Sequence, residues 1–175
     1  PEFYTFSLSA SSDTTFPDKL ISYFSILSML TRQLINIPVH LGLDHLPNIY
    51  CGVAVFVLLP LYIMCSKVNA REKIGKCVIL LIFLTAFNLN IPNYIWHGMH
   101  FPNSLPCRQS FIYIFFLLAM CYEAVINLKN STNRQLGASL WIAIGLLLIM
   151  EELFINSETE YSFKSVYISG IFILI

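Results

Sequence analysis

Charge is what this sequence has least of. Asp, Glu, Lys and Arg make up 11% of its 175 residues, against about 25% in ordinary soluble domains. Hydrophobic residues make up 57% and the mean hydropathy is +0.70. Such a chain cannot cover itself with polar surface, which argues against a free-standing soluble enzyme and against a disordered chain. Neither sign of charge is in excess: ten Lys+Arg stand against ten Asp+Glu. No global basic field exists to attract nucleic acid. Glycine is sparse, and no Gly-rich phosphate loop, nucleophile elbow or metal-binding helix motif occurs. The five cysteines (Cys51, Cys65, Cys77, Cys107 and Cys121) are odd in number and contain no CxxC pair. A Cys51–Cys107 disulfide is possible at the outer surface but is not expected. A membrane-embedded chain remains.

Residues 1–15 are Ser/Thr-rich and lack the charged start and apolar centre of a signal peptide. The chain opens on Pro1-Glu2-Phe3 and closes inside an apolar run that begins at Val166. It therefore reads as an internal or trimmed segment of a larger polytopic protein.

Long runs of apolar residues fall at 49–64, 77–91, 110–128 and 136–150, with an extension of the last to 154 left open. Backbone polar groups in lipid must be satisfied internally, so these runs are expected to be helices. The expected fold class is all-α: polytopic transmembrane helices with four complete spans and one truncated span. The expected division is a lead-in over residues 1–48 and a transmembrane region over 49–175, with an outer loop over 92–109. Within the lead-in, Leu20, Phe24, Leu27, Leu34 and Ile35 form an apolar stripe interrupted by Lys19 and Arg32. With Pro17 in its first turn, residues 17–37 read as an interfacial helix or as a further packed membrane helix.

The loops alternate in charge. Lys67, Arg71, Lys73 and Lys76 surround a single Glu72 between the first two runs; Lys129 and Arg134 lie between the third and fourth. Two spans separate these basic loops, so they fall on one side, and excess Lys/Arg marks the cytoplasm. Residues 1–48, the loop 92–109 and the acidic stretch with Glu151, Glu152, Glu158 and Glu160 then face outward. The glycosylation-type triplet Asn130-Ser131-Thr132 would be cytoplasmic, and is read as chance.

The segment 88–111 packs three prolines, four asparagines, two histidines, one arginine and four aromatics into 24 residues. Gly98 permits a tight bend between His97 and His100, and Tyr94 and Trp96 suit a membrane interface. Arg108 is the one cation of the loop. Its planar fork suits phosphate, although an interfacial arginine also snorkels to headgroups. His97 and His100 could contact a donor or acceptor, or simply fix the loop. Two histidines alone make no closed metal site, and neither a metal nor a cofactor is expected. Asn88, Asn90, Asn93 and Asn103 could read sugar hydroxyls or satisfy helix ends, and Trp96 could stack on a sugar. Asp44 and His45 are read first as a helix cap, and Glu123 as an acid paired with a basic neighbour near the cytoplasmic end.

The run Trp96-His97-Gly98-Met99-His100-Phe101-Pro102-Asn103-Ser104-Leu105-Pro106, followed by Arg108 and Ser110-Phe111, resembles the signature segment of the YfhO family of bacterial membrane proteins. Leu46-Pro47-Asn48-Ile49-Tyr50-Cys51-Gly52 looks like that family's preceding motif. The resemblance covers roughly residues 40–128; Cys107 stands where an aromatic is expected. It implies similarity to C-type glycosyltransferases, multi-pass in the bacterial cytoplasmic membrane. These take a sugar from a polyprenyl-phosphate donor to a cell-envelope polymer acceptor, here teichoic-acid-type in Gram-positive bacteria. The family's catalytic acid is expected outside this chain. The substrate-binding residues implied are Arg108, His97, His100, Trp96 and Asn103; the partners are the donor, the acceptor and the lipid bilayer, with no nucleic acid. The competing expectation is a non-catalytic transporter or scaffold for lipid-linked envelope intermediates.

Overall fold

The computed structural model describes residues 15–39, 46–101, 107–156 and 163–174. Among them the chain is all-helical: α1 (Ile26–Thr31), α2 (Val55–Met64), α3 (Ala70–Asn88), α4 (Asn90–Trp96), α5 (Ser110–Ile126), a 3-10 turn (Leu128–Asn130), α6 (Asn133–Asn156) and α7 (Phe163–Leu174). A single antiparallel bridge, Ser22 to Leu89, is the one β-type pairing among the described residues.

The helices pack side by side in the order α3, α5, α2, α6, α7. Short α2 is central, because it touches both α5 and α6. On one side Tyr62 of α2 meets Phe83 and Phe87 of α3 and Leu117 and Met120 of α5. On the other, Phe56 of α2 meets Ala143, Leu147 and Met150 of α6 and Val166 of α7. Residues 29–34 bridge the two cores: Met29 belongs to the first and Leu34 to the second.

Hydrogen bonds fix which ends lie together. Gln135 near the start of α6 donates to the Met64 carbonyl at 2.8 Å. Lys76 early in α3 pairs with Glu123 late in α5 and with Glu72 at 2.6 Å. Lys73 donates to the Ile63 carbonyl at 2.8 Å and to that of Cys65, a cation placed where the dipole of α2 is negative. The two basic loops therefore share one end of the helices, as their charge pattern requires. At the opposite end the Cys107 thiol, just before α5, reaches the Phe87 carbonyl at 3.9 Å.

Of the expected spans, the stretch Asn133–Glu152 of α6 is the one described helix both long and apolar enough to cross a membrane. About a fifth (22%) of its most apolar window is buried, unlike the core helix of a soluble protein. Val55–Met64, Ser110–Ile126 and Lys164–Leu174 are apolar but shorter. α3 has 19 residues, but Arg71, Glu72, Lys73 and Lys76 occupy its first turns. Their outward faces carry large apolar side chains, with Phe111 and Phe115 at 68% exposure and Trp141 at 73%. That belt has the chemistry of a surface meeting lipid rather than water.

Two expectations are corrected. No helix runs over the described part of residues 17–37 beyond the six residues of α1. Residues around Ser22 are extended instead, paired across to the break between α3 and α4. The outer loop also begins later than residue 92: α4 continues through Pro92 to Trp96. Pro92 is the third residue of that helix, where its missing N–H breaks no internal bond.

Candidate functional site

The end of the molecule opposite the basic loops is built around a break in the chain. α3 stops at Asn88, Leu89 is extended, and α4 starts at Asn90. The two asparagines hold the strand-like lead-in. The Asn88 Oδ1 accepts from the Phe24 N–H and the Ser22 hydroxyl, both at 3.1 Å. The Asn90 Oδ1 accepts from the Ile21 N–H at 2.8 Å, and its Nδ2 donates to the Lys19 carbonyl at 2.8 Å. Backbone bonds from Tyr23 N–H to the Asn88 carbonyl (2.9 Å) and from Asn90 N–H to the Ile21 carbonyl (3.1 Å) complete the pairing. Both asparagines are buried, so they act as structural clamps rather than as readers of a sugar.

α4 ends in a Schellman arrangement. Gly98 N–H donates to the Ile95 carbonyl and Met99 N–H to that of Tyr94. Gly98 has φ +75° and Met99 φ +64°, so the expected bend between the histidines is present, and glycine supplies it without a Cβ clash. The His97 and His100 rings lie 6.4 Å apart, centroid to centroid, nearly edge to face. His97 Nδ1 is 2.8 Å from the Asn93 carbonyl. A carbonyl only accepts, so Nδ1 carries the proton and Nε2 is the lone-pair nitrogen of the neutral ring. His100 Nδ1 approaches the Gly98 carbonyl at 3.5 Å, at the limit for a hydrogen bond.

Trp96 is partly exposed and packs against Phe83 of α3 at 4.9 Å between centroids. Tyr94 is buried, not an interfacial anchor: it contacts Phe16 of the lead-in (5.7 Å) and Phe101 of the loop (5.2 Å). Arg108 is exposed at the foot of α5. Before it Cys107 is buried and adopts φ +63°, a left-handed conformation that costs a non-glycine residue about 1 kcal/mol or more. Burial pushes the Cys107 thiol up to about 12. Trp96, His97, His100 and Arg108 thus lie toward the same end of the helices. Asn103, Asp44, His45, Glu158 and Glu160 lie outside the described residues. Glu151 accepts from the Tyr167 hydroxyl at 2.9 Å, and Glu152 is exposed. All five cysteines are free thiols. Among the described residues no cluster of three or more His, Cys, Asp or Glu could hold a metal.

Sequence reasoning passed over Arg32 and Gln33. Both are buried, and both grip the motif that precedes α2. Arg32 donates from Nε to the Pro47 carbonyl (3.2 Å) and from Nη2 to Asn48 Oδ1 (2.7 Å). Gln33 donates to the Ile49 carbonyl (2.7 Å) and accepts from Cys51 N–H (3.3 Å). Gly52 completes the motif at φ +106°, a conformation that demands glycine. A cation inside an apolar stripe was the available signal.

The family described as bacterial membrane protein YfhO matches the chain over residues 1–175. This chain belongs to the YfhO family. The resemblance carried by residues 40–128 thus extends over the whole sequence. No curated protein and no solved structure matches it. Membership makes this a bacterial membrane protein, in agreement with the apolar outer faces of α3, α5, α6 and α7. In YfhO terms, the two motifs frame one end of the fold. Leu46 to Gly52 is the segment held by Arg32 and Gln33, and Trp96 to Phe101 caps α4.

Proposed function

We propose that this chain is part of a multi-pass membrane glycosyltransferase. It would move a sugar from a polyprenyl-phosphate donor to a teichoic-acid-type polymer on the outer face of the cytoplasmic membrane, in a Gram-positive bacterium. The observation that carries the reading is the polarity of the helices. The basic loops share one end, and Trp96, His97, His100 and Arg108 share the other. Excess Lys/Arg belongs in the cytoplasm, so the aromatic, histidine and arginine groups would meet the exterior leaflet, where a lipid phosphate is found. Family membership is the second support.

In the proposed reaction an acceptor hydroxyl oxygen attacks the sugar's anomeric carbon. The bond from that carbon to the phosphate oxygen breaks, the lipid phosphate leaves with the electron pair, and a base takes the hydroxyl proton. Arg108 steadies the leaving phosphate. His97, with its tautomer set by Asn93, and His100 polarise and shape the pocket. Trp96 offers the part of its ring not covered by Phe83 to a sugar face. Residues 88–109 contain no carboxylate, so the base is assigned elsewhere.

The test is sugar transfer by the full-length protein carrying Arg108→Ala. Loss of a leaving-group stabiliser should lower the rate by about a hundredfold or more, with the amount of folded protein unchanged. Normal transfer would remove Arg108 from the mechanism. Donor binding without any transfer, in the native protein, would favour a transporter or scaffold for lipid-linked intermediates.

A further inference from the structure

We propose that His97, Met99 and His100, at the end of α4, bind a cuprous ion, Cu(I). The two histidines are held as metal ligands are. His97 Nδ1 donates to the Asn93 carbonyl at 2.8 Å, and His100 Nδ1 faces the Gly98 carbonyl at 3.5 Å. A backbone carbonyl on one ring nitrogen fixes the tautomer and leaves the other nitrogen with its lone pair, the arrangement that supports a metal-bound imidazole. Among the described residues no hydrogen bond or ion pair reaches either Nε2.

Their spacing suits one shared ion. Gly98 at φ +75° and Met99 at φ +64° turn the chain and bring the two ring centres to 6.4 Å. A metal about 2 Å from one nitrogen of each ring holds the ring centres roughly 6 Å apart. His100 is half-buried and weakly tethered, so a small rotation closes that difference. The third ligand is a thioether. Met99 is 56% exposed, and a left-handed backbone costs a non-glycine residue about 1 kcal/mol or more. A turn there calls for Gly or Asn, and Met99 lies outside both hydrophobic cores. An unbranched side chain next to His100 is free to swing its sulfur to the pair.

The donor set selects the ion. Two neutral imidazoles and a thioether are uncharged ligands, and thioether sulfur favours Cu(I). Residues 88–109 offer no carboxylate, and their one thiol, Cys107, is buried, so the four ligands of a closed zinc site are not assembled. Both histidines are also assigned to the sugar-donor pocket, but copper binding does not depend on that reading and is measured without sugar transfer.

The full-length protein in detergent is titrated anaerobically with Cu(I) held by bicinchoninate, whose colour falls as the protein takes the ion. Thiols elsewhere also take Cu(I), so the readout is the difference from the double variant His97→Ala/His100→Ala. The parent should take up one equivalent more than that variant. His100 lies outside both cores, so His100→Ala should leave thermal unfolding unchanged. Its loss as a ligand should weaken the extra equivalent by at least about a hundredfold, more than the loss of a supporting contact. Met99→Leu keeps the size and apolarity of the side chain and removes only the sulfur, and should weaken it about tenfold. Equal uptake by the parent and the double variant, unchanged affinity in Met99→Leu, or displacement of the ion by equimolar Zn(II) would overturn the proposal.

Discussion

Asn88 and Asn90 show what single residues do in this fold. Between them they satisfy the N–H groups of Phe24 and Ile21 and the carbonyl of Lys19, across more than 60 positions of sequence. The partners of residues 19–24 are therefore remote, and no local pattern could reveal them. The stripe over residues 17–37 read as helical because its spacing was intact, yet the segment found hydrogen bonds elsewhere. Replacing Asn90 by Ala removes the partner of the Ile21 N–H and the Lys19 carbonyl, at a cost of about 1 kcal/mol because both residues are exposed enough for water to substitute. Two measurements check it: thermal unfolding in detergent should shift downward, and trypsin should cut after Lys19 faster than in the parent. An unchanged cleavage rate would mean that the clamp does not hold the lead-in. Arg32 was equally hard to interpret from sequence. Its cation was visible, but its grip on Pro47 and Asn48 depends on a turn of the chain that composition does not encode.

Helices were legible where hydropathy dictates them and illegible at their ends. The run 77–91 falls mostly on helix but crosses the break at Leu89, and α3 starts at Ala70 because Asn69 accepts from the Arg71 N–H at 3.1 Å and caps it. Its charged first turns then lie at the basic end, where Lys76 joins Glu72 and Glu123. The sequence pairs Glu123 with a basic neighbour, and in the structure that neighbour is Lys76. This pair ties α3 to α5, so its disruption should be felt by both helices. Glu123→Lys sets two cations together and should destabilise the fold by about 1 kcal/mol, the scale of a partly exposed ion pair. Lys76→Glu in the same chain should recover part of that loss, because the pair is then restored in reverse, although Glu72 now faces a like charge. Thermal unfolding of the two single variants and the double variant gives the coupling. Strict additivity would show that the contact contributes nothing.

At the scale of the molecule, the charge alternation of the loops and the geometry of the helices are independent observations that agree. Basic residues gather at one end through contacts of Gln135 with Met64 and of Lys76 with Glu123. The candidate site lies at the other, where Cys107 backs onto Phe87. The sequence could order these ends but could not choose their reporters. Cys107, at the end of the outer loop just before α5, is buried, and burial pushes its thiol up to about 12. A thiol so shifted is held in its unreactive protonated form, and the protein around it blocks access. Exposed Met99 and Lys129 are better probes. In intact spheroplasts a membrane-impermeant maleimide should label Met99→Cys above the parent's background, while Lys129→Cys should react only after permeabilisation. Cys107 should stay unlabelled in both until the protein is denatured. The reverse pattern, with position 129 labelled from outside and position 99 protected, would place the histidines and Arg108 in the cytoplasm, away from the leaflet where the proposed acceptor lies.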